Sequence, residues 1–211
     1  MTVAIIDYGS GNLRSAAKAF ERVATESGIP TRVVVTAEAD EIVVAERIVL
    51  PGVGSFADCL AGLDSLPGVR DALDEVVIKA GRPFLGICVG MQLMARSSSE
   101  NGTHQGLGWV TGEVVALPKG TVKVPHMGWN ELVIRARHPV LEGIEDGKDF
   151  YFVHSYHLQC EDQREILAET EYDGSICALV GRDNMVGTQF HPEKSQAAGL
   201  KFISNFLSWR P

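Results

Sequence analysis

The first half of the chain alternates short apolar runs with stretches of helical period, and the second half breaks into closely spaced short runs. Residues 3–6 are a β-branched apolar run of strand length. Over 13–27 the residues Leu13, Ala16, Ala17, Phe20 and Val23 recur on one helical face, and Gly28 stops the pattern. Residues 31–36 and 47–50 predict a second and a third strand, and this order at this spacing implies a parallel sheet with right-handed crossovers. Helical segments at 55–66 and 69–80 lead to an apolar run at 83–87 and a helix at 89–95, followed by a polar, glycine-containing loop at 97–108. From there short strand-like runs recur at 109–117, 131–134, 150–156, 166–171, 176–180 and 185–190, separated by Gly, Pro and Asp. Residues 196–209 close the pattern as an amphipathic helix with Leu200, Ile203, Phe206 and Leu207 inward. The expected fold class is α/β: an open mixed sheet with helices on both faces and an antiparallel extension in the second half. No repeat, linker or low-complexity tract divides residues 1–211, so one domain is expected.

Composition narrows the chemistry. A net charge of −8 without any Lys/Arg run argues against a nucleic-acid binder. The apolar start of the chain has no basic n-region, and no run approaches the roughly 20 apolar residues that span a bilayer. Cys59, Cys88, Cys160 and Cys177 stand far apart with no Cys-x-x-Cys, which suits reduced thiols in a cytoplasm better than a disulfide frame or a zinc site. A cytoplasmic protein without membrane contact is the expectation.

One cysteine stands apart. Gly86-Ile87-Cys88-Val89-Gly90 falls where a buried strand turns into a helix, which is the cysteine version of a nucleophile elbow. The turn leaves room only for small residues beside the nucleophile. A helix N-terminus there favours thiolate, and the Val89 N–H is placed to serve an oxyanion. Among the histidines, His104 and His138 lie in polar or charged segments that predict surface positions, and His126, His154 and His157 sit in the strand-rich half. His191 follows the last strand run, and Glu193 two residues on shares its side if Pro192 keeps the chain extended. Cys88, His191 and Glu193 together carry the logic of a cysteine triad. Gly9-Ser10-Gly11 lacks the third glycine of a dinucleotide fingerprint and predicts a tight turn or a partner-facing loop.

Gly86-Ile-Cys88-Val-Gly90-Met-Gln92 with Gln189-Phe-His191-Pro-Glu193 resembles the class I, triad-type glutamine amidotransferases, whose sheet is flavodoxin-like. Asp7-Tyr-Gly-Ser-Gly-Asn12, Pro51-Gly-Val-Gly54, Pro125-His-Met-Gly-Trp-Asn130 and Tyr151-Phe-Val-His-Ser-Tyr156 narrow the resemblance to the branch that serves imidazole glycerol phosphate synthesis. That resemblance implies glutamine hydrolysis through a Cys88 thioester, with His191 as acid and base, oriented by Glu193. It implies an oxyanion hole from Val89 and from the Val53–Gly54 unit, which must flip a peptide to serve. It implies glutamine contacts at Gly52, Gln92, Glu100, His154, Ser155 and Tyr156, and no cofactor or metal. The implied partner is a (β/α)8-barrel cyclase subunit, in a heterodimer, which uses the ammonia to make imidazole glycerol phosphate and AICAR in histidine biosynthesis. Asn12, Trp129, Tyr151 and Lys194 match positions that face or gate that interface. Val89 stands where many members carry leucine.

Overall fold

The computed structural model describes residues 1–118, 120 and 122–211. Apart from one added helix, α2, its first half follows the predicted order: β1 (Thr2–Ile6), α1 (Leu13–Glu26), β2 (Arg32–Thr36), α2 (Ala39–Val44), β3 (Arg47–Gly52), α3 (Phe56–Ser65), α4 (Val69–Leu73), β4 (Phe84–Cys88) and α5 (Val89–Leu93). Strands β3 and β4 are buried along their whole length, and β1 is buried except at its first residue. This explains why they read as continuous apolar runs, whereas β2 at the sheet edge is half exposed.

The second half contributes β5 (Ala95–Ser98), β6 (His104–Gln105), β7 (Val110–Ala116), β8 (His126–Ile134), β9 (Lys148–His154), β10 (Tyr156–Cys160), β11 (Ile166–Glu171), β12 (Ser175–Arg182), β13 (Met185–Thr188) and α6 (Gln196–Ser208). A nine-stranded mixed sheet runs β2-β1-β3-β4-β13-β12-β11-β8-β9. Its first five strands are parallel and the rest pair antiparallel, as expected of the extension. Phe20 of α1 meets Phe206 of α6 edge to face at 6.2 Å, so the two helices pack together. Among the described residues no helix is long and apolar enough to cross a membrane.

Three local expectations are corrected. Residues 97–108 are not simply a loop: β5 and β6 lie at and within that stretch and join β7 and β10 in a second, four-stranded sheet. The strand expected over 150–156 is two strands in different sheets, parted at Ser155, whose carbonyl accepts from the Leu117 N–H at 2.9 Å. The helix after Cys88 ends at Leu93 rather than at 95, because Ala95 pairs with Val110. In addition α2, which the periodicity did not predict, seats Ile42 in the core. Arg47, wholly enclosed, donates to the Leu207 and Trp209 carbonyls at the end of α6.

Candidate active site

Three adjacent parallel strands deliver the site. Gly52 at the end of β3 pairs with Cys88 at the end of β4, and β13 on the other side pairs Thr188 with Ile87. The loops that follow β3, β4 and β13 therefore emerge together, at the carboxyl ends of the strands, where open α/β sheets bind ligands.

Cys88 sits at φ 55° and ψ −111°, a conformation that a non-glycine residue holds only when its surroundings enforce it. The flanking glycines are a matter of space. A Cβ on Gly90 would lie 1.8 Å from the Leu50 carbonyl oxygen, and one on Gly86 would lie 2.6 Å from that of Gly90. The helix behind the sulfur has only five residues, so its dipole is weaker than the sequence suggested.

The sulfur borders a cavity of about 370 Å³. Val89, Gln92 and His191 line it, together with Val53 and Gly54. Glu100 and the segment 153–156 also line it, so His154, Ser155 and Tyr156 lie at the cavity. Gly52 does not: it packs against the elbow, where a Cβ would meet the Tyr8 hydroxyl at 2.7 Å and the Gly90 nitrogen at 2.8 Å.

His191 and Glu193 meet with Nδ1 2.9 Å from Oε1, both side chains almost wholly buried. With Nδ1–H donating to the carboxylate, Nε2 is the nitrogen left for chemistry. Among the described residues no nitrogen or oxygen satisfies it, and its neighbour is Cys88. Burial alone would lower the His191 pKa, but the Cys88 sulfur and the Glu193 carboxylate favour the charged ring and raise it to about 10. A thiol, a proton-carrying imidazole and an orienting carboxylate can attack a carbonyl and protonate its leaving group.

A second network starts from Tyr156. The Tyr156 carbonyl accepts from His154 Nδ1–H at 2.9 Å, so His154 Nε2 is an acceptor, and His126 Nδ1–H donates to it at 2.9 Å. His126 Nε2 in turn receives the Asn130 amide at 3.3 Å. Burial holds both rings neutral, lowering His126 to about 4 and His154 to about 3. His104 and His138, expected at the surface, are half-buried, and His138 accepts from the Val140 N–H.

Several residues of this region escaped the sequence reading. The Ser10 hydroxyl accepts from the Val53 N–H at 3.1 Å and donates to the Val53 carbonyl, which the Cys59 thiol also reaches at 3.4 Å. The Tyr8 hydroxyl donates to the Pro51 carbonyl at 2.6 Å, and burial pushes the Tyr8 phenol far above its ordinary pKa. The glycine-rich turn 9–11 thus braces the 51–54 loop. Ser195 holds the His191 carbonyl at 2.7 Å, and the Tyr151 carbonyl accepts from the His191 N–H at 2.9 Å. Only polar residue types at turn positions signalled these roles, a signal shared with ordinary turns.

Residues 4–208 match the profile of the family described as Glutamine amidotransferase class-I. The chain belongs to that family. Its relatives include "Imidazole glycerol phosphate synthase subunit HisH" of Brucella melitensis, 55% identical with the whole of each chain covered. The protein of the same name in Agrobacterium fabrum is 56% identical, again over the whole of both chains. The fold is shared more widely. A solved structure titled "Crystal structure of glutamine amidotransferase" aligns at a TM-score of 0.73 and 18% identity, covering 98% of this chain and 97% of that one. A glutamine amidotransferase of Thermotoga maritima aligns at 0.66 and 16% identity, covering 99% and 83%.

Proposed function

We propose that this chain is the glutaminase subunit of an imidazole glycerol phosphate synthase, hydrolysing glutamine to glutamate and ammonia for histidine biosynthesis in the cytoplasm. Full-length likeness to the HisH subunits supports the pathway. The observation that carries the chemistry is the meeting of Cys88 and His191 at one cavity, with Glu193 bonded to His191.

In the proposed reaction the Cys88 thiolate adds to the carboxamide carbon of glutamine, and the Val89 N–H receives the developing oxyanion. The His191 Nε2 proton goes to the amide nitrogen, the C–N bond breaks, and ammonia leaves a glutamyl thioester. Water then adds, giving its proton to His191. The C–S bond breaks, glutamate departs, and one water is consumed per glutamine. Glu193 keeps the imidazole in the required tautomer. Glu100, with one oxygen on the Phe56 N–H at 2.7 Å, presents negative charge to the substrate ammonium. The backbone at 154–156 meets the other end of the amino acid.

The second oxyanion donor belongs to the 51–54 loop. Here the Val53 N–H is engaged by Ser10 instead of being offered to the cavity, which suits a protein that is slow without its partner. The proposed docking face for the (β/α)8-barrel cyclase lies alongside. Trp129 is 47% exposed and packs 5.8 Å from Tyr151, and the Lys194 ammonium sits 5.7 Å over the Tyr151 ring. Asn12, at the start of α1, follows Gly11, which packs on Pro51. Ammonia released beside His191 therefore has a short path to a partner seated on Tyr151.

Labelling by a glutamine-analogue electrophile tests the proposal. Expected are a glutamine-protectable adduct on Cys88 and a glutaminase rate that rises steeply with the cyclase and its ligand. Cys88→Ala is expected to remove glutamine-dependent but not ammonia-dependent product formation. No adduct, or equal rates with and without the cyclase, overturns the reading.

A further inference from the structure

Gln189 is wholly buried beside the nucleophile, and the reaction as proposed gives it no task. It directly follows β13, whose Thr188 pairs with Ile87, so it comes level with Cys88 on the neighbouring strand. Its orientation follows from a single carbonyl. The Tyr156 oxygen can only accept, so Gln92 turns Nε2 toward it, at 2.9 Å. The other hydrogen of that nitrogen goes to Gln189 at 3.1 Å, where only an oxygen can receive it. Gln189 therefore keeps Oε1 on Gln92 and directs its own Nε2 at Cys88 Sγ, 3.7 Å away.

The consequence for Gln92 is that both of its N–H groups are occupied. What remains for the cavity it lines is Oε1, an acceptor. A ligand group placed against Gln92 must bring an N–H, as a primary carboxamide does, whereas a carboxylate meets an opposing lone pair.

We propose that Gln189 is a positioning residue with two effects: it donates a hydrogen bond to the Cys88 thiolate, and it holds Gln92 with its oxygen toward the substrate carboxamide. Glutamine is thereby distinguished from its product glutamate before any bond is made. The inference rests on the glutaminase reading above and adds to it the origin of the selectivity for the amide.

The test uses the protein in complex with its cyclase. Gln189→Glu keeps the size and an acceptor for Gln92 but sets a carboxylate against the sulfur. Its expected signature is a KM for glutamine within about three-fold of wild type, with kcat and the rate of Cys88 alkylation by iodoacetamide down about ten-fold or more. Gln189→Met keeps the volume but frees Gln92 as well, so KM also rises, by about ten-fold. Alkylation and kcat within about three-fold of wild type in both folded variants, or one common change of KM and kcat in the two, overturns the inference.

A wild-type measurement stands beside these in case the variants do not fold. Glutamate γ-methyl ester, which has no N–H at the γ position, is expected to show a KM at least about ten-fold above that of γ-glutamyl hydrazide, which keeps one. Equal KM values overturn the inference. The glutaminase reading fails separately, by wild-type protein that forms no glutamate in the presence of the cyclase.

Discussion

Replacing Ser10 with alanine tests whether the resting position of the 51–54 loop restrains the free protein. In the structure the Ser10 hydroxyl holds both polar groups of Val53, its N–H at 3.1 Å and its carbonyl. Each such bond contributes about 1 kcal/mol net, and less here because the loop is exposed and water can replace the hydroxyl. The pair together stabilises the resting loop by about 1–2 kcal/mol, which is about 5- to 30-fold in the population of a turned Val53 peptide. A full oxyanion donor is worth about 10²- to 10³-fold in kcat, so freeing the loop recovers part of that and no more. The expected result for Ser10→Ala is a basal glutaminase rate raised about 5- to 30-fold, with stimulation by the cyclase reduced by the same factor. Glutamate release coupled to glutamate dehydrogenase measures both. Ser10→Thr, which keeps the hydroxyl, serves as the control at the wild-type rate. A folded Ser10→Ala protein with an unchanged or lower basal rate would show that the hydroxyl does not restrain the loop.

Other perturbations act on the frame. Gly90→Ala places a Cβ 1.8 Å from the Leu50 carbonyl oxygen, so β3 and the elbow must part; we expect a loss of about 3 kcal/mol or more in urea unfolding, together with loss of activity. Arg47→Met strands the Leu207 and Trp209 carbonyls, now bonded at 2.7–3.1 Å, and should cost about 3 kcal/mol; a thermal midpoint unchanged from wild type contradicts this. The His126–His154 pair sets an acid limit. Both pKa values fall below the ordinary 6.5, to about 4 and about 3, so below pH 6.5 the unfolded chain binds more protons than the folded one. Stability is therefore complete above about pH 6.5 and is lost as pH falls toward about 4, by at most about 1.4 kcal/mol per pH unit for each ring. His126→Phe, which keeps the stack on Phe152 and Tyr172, should flatten that slope in urea melts between about pH 4.5 and 7.

Where local pattern and packing demanded the same thing, the fold was legible in the residues. Strands β3 and β4 are buried throughout, and β1 nearly so, which required continuous apolar runs; α1 and α6 bury one face each and so show helical period. The short apolar runs of the second half were legible as strands, but their assignment to sheets was not. The run through 150–156 carries no mark at Ser155 that one half joins β8 and the other β7. Likewise 97–98 is polar enough to pass for the start of a loop, and it falls in β5 because β7 offers a pairing edge.

The candidate site divides in the same way. Cys88 between two glycines, and His191 before Pro192-Glu193, are local arrangements whose geometry is largely set by immediate neighbours, so the chemistry on offer was already written along the chain. Their meeting was decided by strand order alone: β4 and β13, about a hundred residues apart in the chain, lie side by side and end at the same level. The same adjacency puts Gln189 against the sulfur, and the neighbouring pairing of β1 with β3 brings Ser10 to Val53. An amide or a hydroxyl acquires a role from the acceptor that tertiary contact places before it, and nothing in its own neighbourhood along the chain specifies that acceptor.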